Sequence, residues 1–85
     1  MDFGGVSTDE LTMARELLGR LQTLDTVWPL QTQVNKMVAV AGDDDVGTRG
    51  LAVVALLVAS YPGLSLEQLR HAIADALWTR MHESS

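Results

Sequence analysis

Cysteine is absent from the chain, so disulfides and thiolate metal sites are excluded, and with them the stapled design of a small secreted domain. A reducing cytoplasm is the compartment this predicts. Met1-Asp2-Phe3-Gly4-Gly5 has neither a basic n-region nor an apolar h-region, so no secretory leader is expected. Asp2 stands where myristoylation would need glycine. Cations are scarce as well: six Lys plus Arg face eleven Asp plus Glu, and the formal net charge of −5 opposes phosphate-backbone binding by the domain as a whole. Nucleic acid is therefore not an expected partner, and the same acidity serves ordinary solubility. Long apolar runs are missing too. The uncharged stretch from Gly50 to Leu66 is cut by Pro62-Gly63, well short of the about 18 uninterrupted apolar residues that a bilayer span needs. No membrane association is expected, and the stretch reads as a buried central helix.

What is present is enough for one core. Eighty-five residues, 47% of them hydrophobic, make a single domain over 1–85 with frayed tails at 1–5 and 82–85. The expected fold class is all-α, a small bundle of four main helices with room for extra short ones. Ser7-Thr8-Asp9-Glu10 fits a capping box, with Val6 and Leu11 as its hydrophobic staple. A first helix follows with Leu11, Ala14, Leu17, Leu18, Leu21 and Leu24 at spacings of three and four, ending near Thr23. Pro29 suits the first position of a second helix, whose stripe is Leu30, Val34, Met37, Val38 and Ala41, with Gly42 closing it.

The third helix runs from about Val46 to Ser60, with Asp45 placed to cap it. Val53, Leu57, Val54, Val58 and Leu51 cover its apolar arc. Leu56 falls outside that arc, and Ala52, Ala55 and Ala59 form a strip of small side chains that would let another backbone approach, from this chain or from another subunit. Ser65 and Gln68 form a second capping box, with Leu64 and Leu69 as staple. The fourth helix then buries Leu66, Leu69, Ile73, Ala76, Leu77 and Met81. No strand alternation or internal repeat competes with this reading.

Chemistry is harder to find. His71 and Asp75, at i and i+4, are the best-spaced pair of metal-ligand types, yet a zinc site takes at least three converging protein ligands. Asp43-Asp44-Asp45 lacks the alternating spacing and terminal glutamate of a calcium loop, and reads as a cap plus a solvated loop. Ser60 and Ser65 have no base predicted nearby. A bundle filled by its own side chains leaves little room for a pocket of about 300 Å³. No catalytic residue, cofactor, metal or small-molecule substrate is therefore expected. As a recognition helix the fourth helix would offer Glu67, Arg70, His71, Ala74, Asp75 and Trp78, a poor set for a major groove.

Surface features point instead to protein contact. Trp78 lies about 120° around the fourth helix from the buried stripe, beside Ala74 and His71; it is either a core edge covered by the N-terminal tail, with Phe3 as the candidate side chain, or an exposed anchor for a partner. Trp28, just before Pro29, reads as structural. Arg15 and Arg20 on the first helix, with Arg70 and Arg80 on the fourth, oppose Asp43, Asp44 and Asp45. Such polarity permits head-to-tail self-association.

The stretch from Asp45 to Leu77 resembles bacterial effector-associated domains, the small death-like adaptor modules of prokaryotic conflict and defence proteins. The similar elements are Leu51-Ala52-Val53-Val54-Ala55-Leu56-Leu57, then Tyr61-Pro62-Gly63-Leu64, then Leu69-Arg70-His71-Ala72-Ile73-Ala74-Asp75-Ala76-Leu77; Leu17-Leu18-Gly19-Arg20-Leu21 looks like the family's first half. Two features depart from the family: many members have six helices, and members usually precede a protease or nuclease. The resemblance implies docking that recruits or clusters a protein partner, and it carries over no catalytic residue. The expected function is thus a non-catalytic, cytoplasmic adaptor, with a protein or a second copy as partner. The alternatives are an obligate homodimeric docking domain and a small phage-type protein that inhibits a host enzyme.

Overall fold

Four helices follow one another in the computed structural model, which describes residues 3–25 and 27–83: α1 (Thr8–Gly19), α2 (Leu30–Ala41), α3 (Asp45–Ser60) and α4 (Leu66–Glu83). The architecture is an all-α bundle with no strand among the described residues. None of these helices is long and apolar enough to cross a membrane.

Both capping boxes form. Ser7 Oγ accepts from the Glu10 N–H at 3.1 Å while Glu10 Oε1 accepts from the Ser7 N–H at 3.2 Å. Ser65 and Gln68 exchange the same two bonds at 3.2 and 2.9 Å. Each box satisfies two backbone donors that a helix start would otherwise leave unpaired. The staple residues Val6 and Leu11 are both buried. Three expected boundaries differ. Asp44, not Asp45, caps α3, its Oδ1 accepting from the Gly47 N–H at 2.9 Å. Pro29 is the cap residue of α2 rather than its first helical position, because its ψ of 147° is extended. Finally, α1 stops at Gly19 instead of Thr23, the Arg20 N–H closing it onto the Glu16 and Leu17 carbonyls. Leu21 and Leu24 then fold back, half-buried, onto the core.

The core is centred on α1, whose Leu11, Ala14, Leu17 and Leu18 are wholly buried between α3, α4 and α2. Val54 of α3 and Leu66, Leu69 and Ile73 of α4 meet them. This corrects the sequence reading of the uncharged segment: α3 is not the central helix, because Ala52, Ala55, Leu56 and Ala59 on its outer side remain exposed. Its close approach to the rest of the bundle is made through glycine. A Cβ at Gly50 would lie 2.7 Å from the Met13 carbonyl oxygen, and one at Gly47 would fall on the Ala41 carbonyl. These two glycines, not the alanines, are the small residues that let helices touch.

Two apolar stripes also differ from expectation. Helix α2 buries Gln33, Met37 and Ala41, whereas Leu30 and Val38 are exposed and Val34 is half-buried. On α4 the stripe ends at Leu77, and Met81 is exposed. Within the expected tails at 1–5 and 82–85, Phe3 packs and α4 continues. Phe3 is buried, meeting Tyr61 edge-to-face at 6.0 Å between ring centroids, and α4 runs to Glu83. Arg80 ties the two ends together, donating to the Phe3 carbonyl at 2.8 Å and to Thr8 Oγ1 at 3.3 Å. Positions 1, 2, 84 and 85 lie outside the described residues.

Candidate functional site

Arg20 does not stand opposite the acidic triplet but joins it. Arg20, at the C-terminal end of α1, reaches across to the loop before α3 and grips Asp44 with both Nη atoms, at 3.0 and 2.6 Å. The same guanidinium donates to the Ala41 carbonyl at 3.0 Å, at the C-terminal end of α2. Since Asp44 also caps α3, one ion pair joins three helices. The hydrogen bonds from Arg20 and then from the Gly47 N–H favour the ionised carboxylate and hold the Asp44 pKa down to about 2. The bond to Asp44 in turn raises the pKa of Arg20. Asp45 pairs with Arg49 one turn on, at 3.2 Å, and Asp43 is exposed. The triplet therefore divides into one clamp, one surface pair and one solvated carboxylate.

Arg80 holds the Phe3 backbone, as above, so of the four arginines expected at the surface only Arg15 and Arg70 remain uncommitted among the described residues. They come together. Arg15 and Gly19 of α1, with Arg70, His71 and Ala74 of α4, line one groove of about 240 Å³. One turn beyond Ala74 stands Trp78, 64% exposed, its ring 3.9 Å from that of His82. Phe3 does not cover it, having turned to Tyr61. Met81 projects beside it. The structure thus brings Arg15, Arg70, His71 and Ala74 into one groove beside Trp78, and leaves Ala52, Ala55 and Ala59 on α3 as a separate exposed strip with Leu56.

Other features were not anticipated. Val27, Leu30 and Val38 are exposed around α2. Trp28 does lock the start of that helix: its carbonyl accepts from Gln33 Nε2 at 2.9 Å, and its ring lies 3.8 Å below the Lys36 ammonium. Gln33 Oε1 is buried with no hydrogen-bond partner among the described residues. The surface is also less smooth than a filled bundle suggests, with an open cleft of about 460 Å³ between the Phe3 segment and α4. Among the described residues no three His, Asp or Glu side chains converge to hold a metal ion. The Ser60 hydroxyl donates to the Leu56 carbonyl, and the Ser65 hydroxyl is used in its cap. Compared with protein families, curated proteins and solved structures, the chain matches none.

Proposed function

We propose that this chain is a non-catalytic docking module that works by binding another protein. The observation that carries the reading is Trp78: a large amphipathic ring left 64% exposed on a helix face, with Met81 exposed one turn on. Exposing that much apolar surface is unfavourable for the free domain and favourable once a partner covers it, and tryptophan is enriched at the energetic centres of interfaces. Recruiting or clustering effector proteins in a bacterial conflict or defence system is the role the family resemblance adds; it rests on that resemblance alone. The test combines sedimentation over a range of concentrations with affinity capture from the native host. A module of this kind captures a discrete partner, and Trp78→Ala weakens capture. A strict monomer that captures nothing ends the proposal.

A second reading, a homodimeric docking domain, is favoured by the exposed Ala52, Ala55 and Ala59 strip beside Leu56, which is 58% exposed. Small residues allow close backbone approach by a symmetry mate. Replacing Ala55 with Leu would then dissociate the dimer, and an unchanged oligomer counts against it.

A further inference from the structure

Six basic side chains serve this acidic chain, and four of them are occupied within it. Arg20 holds Asp44, Arg49 pairs with Asp45, Arg80 holds the Phe3 carbonyl, and Lys36 covers the Trp28 ring. The remaining two, Arg15 and Arg70, make no ion pair or side-chain hydrogen bond among the described residues. Carboxylates outnumber basic groups eleven to six, so two unpaired guanidinia do not follow from a shortage of acids. Glu16 and Glu67 stand close to them in sequence without closing on either. These two arginines, 55 positions apart (70 minus 15), line the same groove, with His71 at its wall and Ala74 and Gly19 offering no bulk to fill it.

From this juxtaposition we infer that the α1/α4 groove is the binding site for an acidic segment of a partner protein. Its carboxylates pair with Arg15 and Arg70, and an adjacent apolar side chain packs on Ala74 and Trp78. A planar guanidinium presents paired donors that match a carboxylate, and such charge-assisted bonds are about twice as strong as neutral ones. The apolar component comes from Trp78, exposed one turn further along α4. A nucleic-acid backbone fits less well, because the net charge of −5 opposes a long phosphate track and only two arginines face the groove. This inference rests on the docking-module reading and specifies the chemistry of its partner.

The test is a ¹⁵N-NMR titration with the capped hexapeptide Glu-Glu-Leu-Leu-Glu-Glu, followed at the Arg15 and Arg70 Nε–H signals and the Trp78 indole N–H. Saturable shifts at all three are expected, absent with the glutamine version of the peptide and weakened at least about tenfold by Arg70→Gln or Arg15→Gln. Both side chains are exposed, so the variants should keep the wild-type circular dichroism. The double variant Arg15→Glu/Arg70→Glu should bind the lysine version of the peptide in place of the glutamate one. Absence of saturation up to about 1 mM, or equal binding of the glutamine peptide, overturns the inference. So does binding of hexathymidylate without binding of the acidic peptide. Concentration-dependent self-association that the double variant abolishes also overturns it, in favour of a second copy as occupant. If Arg70→Gln captures the native partner as well as the wild type does, the groove assignment fails and the docking-module reading stands.

Discussion

Replacing Gly47 with alanine should destabilise the domain even though alanine is the better helix former. The new Cβ would fall on the Ala41 carbonyl oxygen and lie 2.6 Å from Asp44 Oδ1. Neither atom can yield freely. The Ala41 oxygen is held by Arg20 at 3.0 Å, and Asp44 is gripped by the same guanidinium while it caps α3. Forcing a methyl into a filled contact costs about 1–3 kcal/mol, and loss of a side-chain cap about 1 kcal/mol more. Against this stands a helix-propensity gain of at most about 1 kcal/mol. The net is a loss of roughly 1–3 kcal/mol, which for a domain of this size lowers Tm by between about 4 and about 24 °C. Gly19→Ala is the matched control. No heavy atom lies within 4 Å of a Cβ there, and the only positive-φ glycine among the described residues is Gly42. It should therefore stabilise, by up to about 1 kcal/mol. Urea and thermal unfolding of both variants measure the difference. A Gly47→Ala protein as stable as the wild type, or two variants that shift the same way, would refute the claim that the α2–α3 junction is packed against backbone.

Asp44 should give the clamp an acid limit. Its folded pKa of about 2 lies below the ordinary value of 3.8, so its contribution is complete above that ordinary value and is lost as pH falls from there through about 2. Carboxyl-carbon NMR should show its midpoint near 2, and in Arg20→Gln the midpoint should move up towards 3.8. Ser65→Ala removes one of the two reciprocal bonds that start α4 and should cost about 0.5–2 kcal/mol in urea unfolding, more than the same change at exposed Ser60. Trp78→Ala should leave stability within about 0.5 kcal/mol of wild type, because the ring is mostly exposed. A large loss there would mean that Trp78 serves the fold, and would remove the observation on which the proposed function stands.

Local chemistry was the most readable part of the chain. The two capping boxes need only residues three apart, and both form. The α4 stripe is legible as far as Leu77 for a similar reason, since four spaced apolar residues meet one continuous core. What the pattern could not supply is which helix sits in the middle. Hydropathy makes α3 the obvious centre, but α1 takes that place: its wholly buried side chains serve three neighbours, while α3 comes close through Gly47 and Gly50. Glycines at positions i and i+3 are a visible signal for close approach. They were overlooked because the alanine strip is longer and has the same spacing.

Helix α2 shows why a stripe read from one sequence can be turned by a single residue. Leu30, Val34 and Val38 form a row of period four, and so do Gln33, Met37 and Ala41, about 60° away around the axis. The apolar pattern joins the first row to Met37 and Ala41 and leaves out Gln33. The second is buried because both ends of the helix are pinned by polar bonds: Gln33 Nε2 to the Trp28 carbonyl at the start, and Arg20 to the Ala41 carbonyl at the end. The first spans five residues and the second 21, and neither leaves a periodic trace. The α1/α4 groove is unreadable for the same reason. Arg15 and Arg70 look like any other surface arginines until Arg20 and Arg80 are seen to be engaged elsewhere. Only the folded chain shows that the two left over face one groove, with Trp78 one turn away on the same helix.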